Sequence, residues 1–123
     1  MSDDASGNVS LTDAISAAMV DLYVRFYGHE RTSATTYIND NVVVCVLEEI
    51  LSDVETRQVA NGFASTVIDG RVAFQEQTED EFTEAIERLT HRTVTAFLSA
   101  NQTTPGVACE LFFLEAPPAA ITC

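Results

Sequence analysis

Residues able to do chemistry are few in this chain, and their spacing matches no common site. His29 and His91 are the only histidines among 123 residues. Each follows a helical pattern, where an imidazolium gains from the helix dipole. Neither HxH nor HExxH spacing occurs, so no metal site is expected. Glu48 and Glu49 adjoin, and Glu76, Glu79, Asp80, Glu81 and Glu84 crowd one segment. Carboxylate pairs serve as general acids and bases only in a pocket that shifts their proton affinity, and a run along a helix reads as a solvated face. No GxSxG, P-loop or GxGxxG pattern occurs. Cys45, Cys109 and Cys123 are too few and too far apart for a disulfide framework or zinc knuckle. Cys45 and Cys109 sit in apolar strand patterns and read as small buried hydrophobes. The expectation is a non-enzymatic protein without metal or cofactor.

Arg31, Tyr37 and Arg92 are the candidate ligand-binding residues, because loop arginines beside a sheet edge can grip carboxylate or phosphate bidentately. They support an alternative reading as a small-molecule or anion sensor. An unrecognised enzyme ranks third and would need a recessed polar cluster. Arg71 differs from the other arginines. It interrupts an apolar stripe between Val67 and Phe74 and, if buried, needs a carboxylate partner.

The formal net charge is −13, with no lysine and six arginines against nineteen carboxylates. Such a surface repels polyanions, so nucleic acid is not an expected partner. No apolar run approaches the roughly 18–20 residues of a membrane span, so direct membrane insertion is not expected either. The start, MSDDASGNVS, lacks the basic and apolar regions of a signal peptide, which points to a soluble cytoplasmic protein. The expected organisation is a disordered lead over residues 1–9, one domain over 10–115 and a flexible tail over 116–123.

The elements that must position these residues follow from periodicity. Leu11, Ile15, Met19, Leu22, Tyr23 and Phe26 recur at helical spacing, with Ser10 as N-cap, Asp13 as its capping-box partner and Gly28 as the stop. A strand over 34–38, a turn at Asn39-Asp40-Asn41 and the apolar run Val42 to Leu47 predict a hairpin. The second strand is apolar on both faces, which predicts a central position covered on each side or a dimer surface on one. Strands over 93–99 and 107–115 are joined by NQTTPG. The predicted fold class is α+β, a four-stranded antiparallel sheet with element order α-β-β-α-β-β.

Between the strand pairs, Ser52 and Glu55 form a capping box that opens a helix with Val59, Phe63, Val67, Phe74, Phe82, Ile86 and Leu89 on one stripe. Unbroken to about Thr90, that helix would span roughly 57 Å at about 1.5 Å per residue. Two resolutions are open. It bends near Gly62, Gly70 or a second capping-box pattern at Thr78 to Glu81, or a second protomer covers the excess. A homodimer is favoured, with Phe63, Val67, Phe74 and Phe82 as the candidate interface.

With these elements placed, the chain resembles the MpsC-like family over roughly Leu11 to Glu115. The matching pieces are DLYVRFYG, TYINDNVVVCVLEEIL followed by SDVE, then RVAFQE, TVTAFLSAN and ELFFLE. The resemblance implies an accessory or regulatory protein acting through protein contacts, tied to a membrane system for cation movement or inorganic-carbon uptake. A protein subunit of such a membrane complex is then an expected partner.

Overall fold

The computed structural model describes residues 10–28 and 31–116. The expected lead over 1–9, most of the tail, His29 and Cys123 lie outside the described residues.

Helix α1 (Leu11–Tyr27) begins where the Ser10 hydroxyl accepts the Asp13 amide, and ends at Gly28, whose φ of 68° is the left-handed stop that glycine adopts without strain. Strands β1 (Ser33–Asn39) and β2 (Val42–Glu48) form the expected hairpin, turning at Asp40 with φ 62°. After α2 (Asp53–Ala60) and α3 (Ala64–Thr90) come β3 (Val94–Thr103) and β4 (Gly106–Leu114). All strand pairs are antiparallel, in the order β1-β2-β4-β3. The NQTTPG loop is shorter than expected. Asn101, Gln102 and Thr103 extend β3 opposite Ala108, Val107 and Gly106, because ladder pairing outweighs the turn preference of those residues.

The long helix is broken at the first of the three positions foreseen. Ser52 and Glu55 form a complete capping box at the start of α2. At its end Gly62 N–H donates to Val59 O at 3.0 Å and Phe63 N–H to Gln58 O at 2.8 Å, the paired bonds of a Schellman stop. Gly62 has φ +91°, a conformation that L side chains rarely adopt. Gly62→Ala is therefore expected to destabilise the chain by about 1–2 kcal/mol in a urea titration. Helix α3 then runs unbroken for 27 residues, about 40 Å at the usual rise. It passes through Gly70 and through the second capping-box pattern. There Thr78 is buried and its hydroxyl donates back to Phe74 O at 3.1 Å inside the helix.

All the helical core packs on one face of the sheet. Ile15, Met19, Leu22 and Tyr23 of α1 and Val67, Phe82 and Ile86 of α3 meet Val43, Cys45, Leu47, Ala108, Phe112 and Leu114 of the central strands. Phe82, Phe97 and Phe112 form a continuous stack, with centroids 6.1 and 4.7 Å apart. This corrects the expectation that the stripe from Val59 to Leu89 exceeds what one protomer can shelter. Val67 and Phe82 are 5% and 3% exposed within their own chain and present no surface to a second copy. Phe74 packs against Phe26 and Tyr27, with centroids 5.7 and 5.4 Å apart, and Phe63, at the helix break, stays 56% exposed.

Candidate functional site

The sheet has two unlike faces. Alternation along the strands sends Val43, Cys45, Leu47, Ala108, Phe112 and Leu114 inward to the helices, and places their neighbours on the other side. That outer face carries Val42, Val44 and Val46 from β2, Val107, Cys109, Leu111 and Phe113 from β4, and Ala96, Leu98 and Ala100 from β3, flanked by Gln102 of β3 and by Ser33, Thr35, Tyr37 and Asn39 of β1. Among the described residues no helix covers it: α1 packs on β1 and β2, and α3 on β3, from the inner side. Leu98 and Tyr37 are 57% and 59% exposed. The outward positions of the paired strands include one carboxylate, Glu48, at the end of β2. An antiparallel sheet with one face in water ordinarily alternates apolar with polar, whereas these central strands are apolar on both sides apart from Glu48 outside and Glu110 inside. An apolar area of this kind marks a surface built for contact.

Beneath the inner face lies a buried polar network. Arg71 is 2% exposed and forms a fork to Glu55, with Nε to Oε2 at 3.0 Å and Nη2 to Oε1 at 2.7 Å. Its Nη2 also donates to Ile50 O at 2.6 Å, and its guanidinium carbon stands 4.0 Å from the centre of the Tyr27 ring. Part-burial pulls the Glu55 carboxyl upward, yet the bonds from Arg71 and Ser52 prevail and hold it below the usual carboxylate range. Glu110, 1% exposed on β4, accepts a short hydrogen bond from the Tyr23 hydroxyl of α1. Burial drives its carboxyl up to about 7, only partly offset by Tyr23, by the Ser99 hydroxyl opposite it on β3 and by the Arg71 charge. Burial likewise raises the Tyr23 hydroxyl, and pushes the Cys45 thiol up to about 11, so Cys45 is an inert thiol at neutral pH.

The expected ligand triad does not assemble. Arg31 pairs with Asp53 at 2.9 Å, beyond the Ser33 end of β1. Arg92 sits at the opposite end of the sheet, where its Nε donates to Glu115 O at 3.2 Å and its Nη1 to Asp40 O at 3.3 Å. Tyr37 lies between them on the outer face. Arginines tied to opposite ends of one hairpin cannot grip a single small anion. Arg71 does find the carboxylate its position required. Among the described residues no three His, Cys, Asp or Glu side chains gather to hold a metal ion, and no helix is long and apolar enough to cross a membrane.

Two features escaped the sequence reading. The outer face was half visible in the doubly apolar β2, but its size depends on β4 lying beside β2, which only the sheet order reveals. Glu110 had a signal in its placement, a lone carboxylate inside the apolar run from Val107 to Leu114.

No significant match is found among the curated proteins or the solved structures. A family model described as "Na+-translocating membrane potential-generating system (MpsC)" matches residues 8–116 and so takes in α1, the whole sheet and the helices that cover it. A match over nearly the entire chain, on the elements just described, means that this protein belongs to the MpsC family.

Proposed function

We propose that this chain is a non-enzymatic, soluble accessory component of a Na+-translocating, membrane-potential-generating system, and that it acts through protein contacts made by its outer sheet face. The observation that carries the reading is that face itself, two central strands apolar on the side away from the core. A chain without a membrane-spanning helix among its described residues does not form a helical ion path by itself, so its contribution is to partners that do. Family membership supplies the system, and the apolar face supplies a protein contact on which the accessory role depends.

The test uses membrane vesicles from cells deleted for this gene, with a voltage-sensitive dye reporting the Na+-dependent potential. Added wild-type protein is expected to restore the signal. Leu98→Glu, which places a charge on a side chain 57% exposed and so leaves the fold intact, is expected to lose most of that restoration. Full activity of Leu98→Glu would remove the sheet face from the reading, and no restoration by the wild type would remove the system.

A further inference from the structure

We infer that a second copy of this chain occupies the outer sheet face, so that two four-stranded sheets pack face to face in a two-fold symmetric dimer. The inference rests on the reading of that face as a contact surface and names its occupant.

Charge makes the first argument. The protein carries a formal net charge of −13, so most pairings between two copies bring carboxylates together. The outer face is the exception, since its central strands present Val44, Val46, Cys109 and Leu111 and its one carboxylate, Glu48, lies at the end of β2. Two copies meet there without opposing charges, whereas a strongly basic partner would find nothing on the face to pair with.

Area makes the second. Four strands about 4.8 Å apart and seven to ten residues long at about 3.4 Å each give a face of roughly 500 Å² per copy, or about 1,000 Å² for a pair, in which Ser33, Thr35 and Asn39 of β1 and Gln102 of β3 form a polar rim. That meets the lower bound of about 1,000 Å² in total for a biological interface, in the weak class below about 1,200 Å². Shape makes the third. A twisted sheet with branched apolar side chains complements another of the same kind at about 10 Å separation, and a two-fold contact needs only one self-complementary patch.

Light scattering behind size exclusion, on the full chain at tens of micromolar, is expected to give twice the 13.4 kDa of one copy. Val44→Glu and Leu98→Glu each place two like charges in the dry contact and are expected to weaken the dimer about a hundredfold or more, with unchanged circular dichroism. Val72→Glu, on an α3 side chain that is 46% exposed, is expected to leave the dimer intact. A monomeric wild type, or a dimer indifferent to both sheet variants, overturns the inference. The two readings fail separately. A monomer whose Leu98→Glu variant still loses activity in vesicles assigns the face to a different protein, and a monomer with the face protected from hydrogen exchange assigns it to the chain's own termini.

Discussion

Arg71→Ala is expected to destabilise the protein by about 2–4 kcal/mol, read as a shift in the urea midpoint at pH 7, somewhat below the range for a fully buried ion pair because Glu55 is 22% exposed. Arg71 is 2% exposed and its side chain is engaged on three sides, by both Glu55 oxygens, by Ile50 O and by the Tyr27 ring. Truncation leaves the Glu55 carboxylate without its counter-charge and the Ile50 carbonyl without that donor, and opens a cavity the size of the lost side chain. The consequence is also architectural. Ile50 follows β2, Glu55 lies in the first turn of α2 and Arg71 in the second half of α3's opening turns, so one guanidinium ties the hairpin exit to both helices across the Gly62 break. A double change, Arg71→Met with Glu55→Gln, removes both charges and is expected to recover more than half of the loss, because the penalty lies in the orphaned carboxylate rather than in any large net gain from the pair. A loss below about 1 kcal/mol for Arg71→Ala would mean that water solvates Glu55 readily and that the fork contributes little.

How much of this was legible in the sequence depends on the range of the interactions concerned. Local rules located α1 from Ser10 to Gly28, the hairpin turn at Asp40 and the start of α2 at Ser52, because capping and turn formation are settled within a few residues. The helix break at Gly62 was one of three candidates. Gly70 and Thr78 carry comparable local signals, but α3 stays continuous through both, with Arg71 and Thr78 buried against the fold. Of the candidate homodimer interface Phe63, Val67, Phe74 and Phe82, the structure buries Val67 and Phe82 within their own chain and leaves Phe63 exposed. A stripe's length says nothing about what folds over it, and α1 with the sheet covers most of this one. The ligand residues Arg31, Tyr37 and Arg92 were grouped by type, and the register of β1 against β2 separated them. Arg71 was the polar residue whose need could be read from its surroundings alone, since a charge inside an apolar stripe demands an acid and Glu55 supplies it. The outer sheet face needed the strand order, a non-local fact that no window of sequence contains.

Stability is expected to fall as pH rises through neutrality, and Glu110 is the group that sets this slope. Its folded carboxyl is raised to about 7 from an ordinary 4.5, with burial as the first cause. The folded state therefore holds this proton more tightly than the unfolded chain does. The stability that proton confers is complete below about pH 4.5, declines as pH climbs and is gone above about pH 7. Between pH 5.5 and pH 8 the loss is about 2 kcal/mol. Glu55 has the opposite sign. Its carboxyl is held down by Arg71 and Ser52, so its contribution is present above the ordinary carboxylate range and lost as pH falls. Stability should thus peak between the two regimes, on the mildly acidic side of neutral. The groups facing Glu110 are Tyr23 from α1, Ser99 from β3 and, at longer range, Arg71 from α3. Of these only Arg71 carries a charge at neutral pH, and it is already engaged by Glu55. Ionising Glu110 therefore leaves the set of buried Glu110, part-buried Glu55 and buried Arg71 with a net negative charge, which the interior disfavours. Glu110→Gln isolates the effect from the general self-repulsion of so acidic a chain. Glutamine keeps an acceptor for the Tyr23 hydroxyl, and its amide faces the Ser99 oxygen, which has no other hydrogen-bond partner. Urea titrations at pH 5.5 and pH 8 should show the wild type losing about 2 kcal/mol over this interval and Glu110→Gln losing far less, with the variant the more stable of the two at pH 8. Equal slopes for both proteins would place the titrating group elsewhere and leave Glu110 ionised within the core at neutral pH.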